Sequence, residues 1–170
     1  MIFKYSSVNY FKQRRYLIVA LKFNTMEKLY FKTEINASKE KVWDILFGEK
    51  SYPQWTSVFA EGSRAVTDWQ KGSKALFLNT EGNGMVSEIA DHITNEYLSI
   101  KHLGFYNNGV EDLESEEVKK WNGAHENYKL STLEGKSILS VEMDSTKEYK
   151  SYFEETWPKA LEKVKELAEA

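Results

Sequence analysis

The stretch KEYKSYFEETWPKALEKVKELA, Lys147 to Ala168, decides the architecture. Phe153, Trp157, Ala160, Leu161, Val164 and Leu167 recur at three- and four-residue steps, which lays them along one stripe of an α-helix. Glu154, Glu155, Lys159, Glu162, Lys163, Lys165, Glu166 and Glu169 fill the outer positions, and Glu155 precedes Lys159 in the favourable i,i+4 order. A helix this amphipathic needs an apolar surface to lie on. Pro158 lacks a backbone donor and crowds the turn before it, so the spacing predicts a kink near Trp157 or two segments in series. The stripe also changes character along its length. Tyr149, Tyr152, Phe153 and Trp157 are aromatic, whereas the residues beyond Lys159 are aliphatic. The aliphatic half reads as plain packing, and the aromatic half, Tyr149 to Thr156, as the wall of a cavity near its mouth.

Working outward, residues 27–146 supply the surface. Lys28 to Asn36 alternates, with Leu29, Phe31, Thr33 and Ile35 on one side, as in a half-buried strand. Ser38 caps a helix that runs to Phe47, with Glu40 in its positive first turn and Gly48 as its stop. Ser51-Tyr52-Pro53-Gln54-Trp55 is a short irregular or single-turn segment. Candidate strands follow at Arg64–Thr67, Ser73–Thr80, Met85–Ile93, Tyr97–Phe105, His125–Leu133 and Ser137–Ser145. Most of the connections between them are too short for crossover helices, so neighbouring strands should be antiparallel. Tyr106 to Asn122 is the exception: acidic, with a short helix expected at Ser115–Trp121, it reads either as a lid or binding loop or as a solvated loop.

The chain has 170 residues and no cysteine, which excludes disulfides, thiolate metal sites and cysteine nucleophiles. A net charge of −3 offers no basic surplus for nucleic acid. No apolar run approaches the ~20 residues of a membrane span. Five Trp, ten Tyr and nine Phe suit either a thick core or a pocket. Residues 1–25 carry five basic and no acidic residues. They read as an N-terminal extension: a poorly ordered segment, an extra strand, or sequence upstream of a true start at Met26. The last reading fits best, because the pattern of a complete domain, residues 26–170, begins right after it.

The order strand, helix, short turn, antiparallel meander, long C-terminal helix is that of an α+β helix-grip fold. Particular words add to the pattern. Ile35-Asn36-Ala37-Ser38 with Lys41-Val42-Trp43-Asp44, Tyr52-Pro53-Gln54-Trp55, and Trp69-Gln70-Lys71-Gly72-Ser73 are three of them. Glu96 to Gly104, Trp121 to Tyr128, and Thr156-Trp157-Pro158-Lys159-Ala160-Leu161 complete the set. Together they resemble the START-like, birch-allergen-like (SRPBCC) superfamily, in the branch named after the C-terminal domain of the heat-shock ATPase activator. The resemblance covers about residues 27 to 168. It implies a curved antiparallel sheet wrapped around the C-terminal helix, with a cavity between them, in a cytoplasmic protein linked to stress responses. One fold hosts many functions, so it says much less about activity.

In such a cavity Phe77, Leu139, Val141, Met143, Phe153 and Trp157 are the apolar residues expected to point inward. If Leu98 faces inward, Ile100 and His102 do too, and Glu126 and Tyr128 share a face on the later strand. A buried carboxylate without a partner is costly, so Glu126 should find His102, Tyr128 or a ligand. The ligand-binding candidates are therefore Phe77, His102, Trp121, Glu126, Tyr128, Met143, Phe153 and Trp157. The alternative is a satisfied core pair, or a register that turns these polar groups to water.

No catalytic residue, metal ligand or cofactor is assigned: the sequence has no nucleophile motif, no phosphate loop and no close metal-ligand spacing. Three functions are carried forward. The first is a non-catalytic carrier or sensor for a small hydrophobic molecule, lipid-like or an aromatic metabolite. The second is an interaction domain that helps a chaperone ATPase, resting on the resemblance alone. The third is a small enzyme of cyclase or hydrolase type using Glu126 and His102. A monomer or weak dimer is expected.

Overall fold

The computed structural model describes residues 26–170, and the readings made for residues 1–25 fall outside it. β1 (Glu27–Ile35) leads through Asn36–Ser38 into α1 (Lys39–Phe47). Ser38 Oγ accepts from the Lys41 N–H, which satisfies one of the helix's free donors. Glu40 sits in that first turn, and its hydrogen bonds with its own backbone N–H and with Ser38 hold its carboxyl below the ordinary range. Gly48 ends α1 for a reason other than the expected one. Its φ is −70°, open to any residue, but an added Cβ would lie 2.3 Å from the Asp44 carbonyl oxygen. Space, not a left-handed turn, asks for glycine.

α2 (Tyr52–Thr56) and its following turn carry the chain over to β2 (Arg64–Val66). The meander then runs β3 (Lys74–Leu78), β4 (Gly84–Ile93), β5 (Tyr97–Asn107), β6 (Val110–Asp112), β7 (His125–Leu133) and β8 (Lys136–Ser145). The eight strands form one antiparallel sheet ordered β1-β8-β7-β5-β4-β3-β2, with the short β6 added to the end of β5. β1 and β2 are the two edge strands, so α1 and α2, which link them in the chain, bridge the two edges of the sheet. The pairing of β4 with β5 shifts register twice, at Val86/Ser87, where Leu103 of β5 is unpaired, and at Ile89/Asp91, where Ala90 of β4 is unpaired. Such bulges bend and twist a strand, and they help curve this sheet into a concave shell.

The acidic excursion between β5 and β7 is more ordered than its composition suggested. β5 and β6 form a hairpin, and the helix expected at Ser115–Trp121 is a single 3-10 turn at Val118–Lys120. Asp112 caps the backbone N–H groups of Glu114 and Ser115, while Glu111, Glu116 and Glu117 pair outward with Lys74, Lys119 and Lys120. Val118 is completely buried beneath them.

α3 (Lys147–Glu169) is one helix, and Pro158 lies inside it without dividing it into two segments. The missing N–H and the ring are tolerated because flanking residues are held by tertiary packing. Trp157 is 2 % exposed, Ala160 and Val164 are fully buried, and Leu161 and Ala168 nearly so. Their neighbours in the core are Leu29, Ile35, Val42, Leu46, Leu139 and Val141. At the far end Glu169 Oε1 accepts from the Asn36 N–H at 2.7 Å, and at the near end Lys150 pairs with Glu27 at 3.0 Å. One end of α3 is therefore tied to the start of β1 and the other to the residue just after it.

Trp157 occupies the junction. It stacks on Phe31 with centroids 5.7 Å apart, meets Phe59 edge-on at 5.1 Å, and donates its indole N–H to Met143 Sδ at 2.9 Å. Replacing so large a buried side chain with alanine leaves a cavity as well as losing transfer free energy. Trp157→Ala is expected to cost about 3–5 kcal/mol in urea unfolding; a loss below about 1 kcal/mol would show that the junction is loosely packed. Pro158 is exposed, so Pro158→Ala should restore a helical N–H without opening a void. That variant is expected to melt higher than the parent, and a lower melting temperature would mean the proline packs favourably in the groove beside β1.

Candidate functional site

The sheet, α2 with its following turn, and the first half of α3 do not close onto one another. They enclose a cavity of about 520 Å³. Its wall is mostly aromatic, and each patch follows from local structure. Phe77 alternates inward from β3 beside Ala75, and Ile100 and His102 alternate inward from β5. Tyr52 and Phe59 descend from α2 and its turn. Phe153 and Trp157 are one helical turn apart on α3, with Tyr149 and Tyr152 at the rim, 44 % and 43 % exposed. The Tyr152 hydroxyl donates to the Phe59 carbonyl at 3.1 Å, joining α3 to the α2 turn across the mouth.

All eight sequence candidates line this cavity: Phe77, His102, Trp121, Glu126, Tyr128, Met143, Phe153 and Trp157. Their situations differ. Met143 and Trp157 are at most 4 % exposed and have paired with each other, so they form a closed floor. Trp121 stands against Phe105, edge to face at 5.0 Å, where the excursion returns to the sheet. That return is pinned by reciprocal bonds, His102 N–H to Ala124 O at 2.9 Å and Gly123 N–H to His102 O at 2.8 Å. Leu139 and Val141, two further inward positions, are buried in the core and do not reach the cavity.

The polar groups converge. Strand register sets Ile100 opposite Glu126, and Glu126 opposite Met143. The irregularity at Val86/Ser87 sets Ser87 opposite His102. Ser87 is completely buried, and its Oγ lies 2.9 Å from His102 Nδ1. Among the described residues the Ser87 side chain has no other partner, so its proton is assigned to that bond. In the neutral imidazole this leaves the ring proton on Nε2, 3.7 Å from Glu126 Oε2. The Tyr128 hydroxyl donates to the other oxygen, Glu126 Oε1.

Burial pushes the Tyr128 phenol well above the ordinary tyrosine range, with the Glu126 carboxylate adding to the effect. Tyr52 is raised the same way, first by burial and then by Glu126. Both phenols therefore stay protonated, and that of Tyr128 donates to Glu126. The chain Ser87–His102–Glu126–Tyr128 superficially resembles a catalytic triad. Its serine is sealed inside the protein and is absent from the cavity wall, so it has no path to a substrate. Trp55, at 1 % exposure, spends its indole N–H on the Leu46 carbonyl at 3.1 Å.

Several wall residues were not among the candidates. Tyr52 and Phe59 lie in segments whose inward side has no period to betray it, and Phe105 comes to the wall because the register shift at Leu103 reverses the alternation of β5. Ser87 was hidden by a bulge that no residue pattern announces. Among the described residues no cluster of His, Asp and Glu could hold a metal, and no helix is long and apolar enough to cross a membrane.

No family model and no curated protein matches the chain. Solved structures do. The Aha1 dimer from Colwellia psychrerythraea is 18% identical over 85% of this chain and 97% of that one, with a TM-score of 0.65. Protein MLL2253 from Mesorhizobium loti is 16% identical over 83% and 96%, at 0.62. CalU16 from Micromonospora echinospora is 16% identical over 84% and 76%, at 0.58. Likeness at these identities speaks to fold alone. The chain has the helix-grip fold of these proteins, the arrangement that the sequence resemblance implied.

Proposed function

We propose that the protein binds a small, largely apolar molecule in the cavity between the sheet and the first half of α3, without transforming it. One observation carries this reading. An aromatic-walled space of about 520 Å³ lies within the roughly 300–1,000 Å³ range of small-molecule sites, and three polar side chains converge on one part of its wall. Apolar walls supply affinity by removing ligand surface from water, and a few fixed polar groups supply orientation. The buried Ser87 argues for binding over hydrolysis, since an enclosed hydroxyl cannot attack a ligand it does not touch. A chaperone partner is an expectation of the resemblance alone.

The neutral fluorophore phenylnaphthylamine provides a test. Its emission should rise on binding, and at a hundredfold excess over Kd it should add about 2.7 kcal/mol of stability, a shift on the order of 5–10 °C. Phe153 is half-buried on the wall, so Phe153→Ser should leave the fold intact and weaken dye binding by roughly tenfold or more. Dye emission and melting temperature that respond to neither the ligand nor the substitution would contradict the proposal.

A further inference from the structure

The charges on the cavity wall bear on which polar group a ligand can bring. Among the described residues, no Lys or Arg lines it. Its ionisable side chains, tyrosines apart, are His102, Glu126 and Asp144. Asp144 is already engaged, accepting from the His125 N–H at 2.9 Å and facing Lys28 Nζ at 3.2 Å. Glu126 is half engaged. Oε1 takes the Tyr128 hydroxyl, whereas Oε2 has only His102 Nε2 at 3.7 Å, beyond hydrogen-bond reach. A largely buried carboxylate oxygen of this kind gains most from a donor and loses most from another anion.

The first turn of α3 also reaches the rim, and a helix N-terminus favours anions. Its field is met by Glu148 within the turn and by Glu27, which pairs with Lys150. Thr146 Oγ1, at the start of that helix, is buried without a hydrogen-bond partner. A hydroxyl can bond to acids, alcohols and amines alike, so it does not set the sign of the site.

We infer that the cavity selects apolar molecules whose polar end is a hydrogen-bond donor, an ammonium or a hydroxyl, held at Glu126 Oε2, and that it rejects carboxylates of the same shape. This rests on the binding reading above and narrows it. The donor would reach Oε2 from the cavity side, where a ligand hydroxyl could also accept from the His102 Nε2–H, and the Tyr128 hydroxyl would keep the carboxylate oriented. The apolar body would extend along Phe77 and Phe153 toward the mouth. An ammonium placed there gains a second contribution from the surrounding ring faces.

A matched aromatic series separates the possibilities: naphthylmethylamine, naphthylmethanol and naphthoate, measured by calorimetry and thermal shift on the full chain near neutral pH. The amine and the alcohol should bind, and the amine should exceed naphthoate on the order of tenfold or more, as expected for one hydrogen bond to a charged group. In Glu126→Gln, which keeps size and shape, the amine and naphthoate affinities should converge to within about threefold. Naphthoate binding as tightly as the amine to the parent protein would overturn donor selection while leaving the binding reading intact. An amine preference that survives Glu126→Gln would overturn the assignment to Glu126. Failure of all three probes to bind either protein would count against the binding reading itself, and this inference would fall with it.

Discussion

Everything in this structure depends on how one helix divides its apolar stripe. Beyond Pro158, α3 presents Ala160, Leu161, Val164 and Ala168, small or aliphatic groups that pack against Leu29, Ile35 and Val42 and leave no space. Before it, α3 presents Tyr149, Tyr152 and Phe153, broad rings that stand away from the concave sheet. Trp157 is the hinge between the regimes: buried like the aliphatic half, aromatic like the other. A helix gripped along its whole length would give a solid core. This one is gripped over its second half and tethered at its start by Glu27 and Lys150, so the cavity follows from its composition.

The polar cluster is the second consequence of that geometry. A carboxylate facing a fully packed core would demand complete pairing or would lose its charge. Facing a cavity, Glu126 can remain partly satisfied. Tyr128 and His102 constrain its orientation, and the bulge at Val86/Ser87 supplies the buried hydroxyl that fixes His102 in turn. The unpaired residue in that register shift is Leu103 of β5, so the irregularity lies beside His102 itself. A regular strand there would have changed which residue stands opposite His102.

The fold was largely legible in the sequence because its elements declare their periods. β1, β7 and β8 were found to within about a residue, and alternation put Leu98, Ile100 and His102 on one face, which the structure turns inward. α3 was found as well, but its division at Pro158 was not: side chains on both sides of the proline are buried, and that packing outweighs one missing hydrogen bond. β6 was missed because Val110–Asp112 is too short and too acidic to show alternation. At the site, residues on regularly alternating strands and on the helix stripe were readable, and those set by a register shift or by irregular segments were not. Tyr52 and Phe59 are brought to the wall by tertiary packing, whereas Phe105 on the wall and Ser87 behind it owe their facing to a register shift with no signature in residue type.

The central claim is that the space beside the aromatic half of α3 is a binding site rather than a packing defect. Native mass spectrometry of the protein purified gently from its own host tests it most directly. The account predicts a fraction of chains carrying one extra small molecule, lost on denaturation and absent when Phe153→Ser is purified the same way. Chains that show only their bare mass under these conditions, with both proteins equally empty, would contradict it.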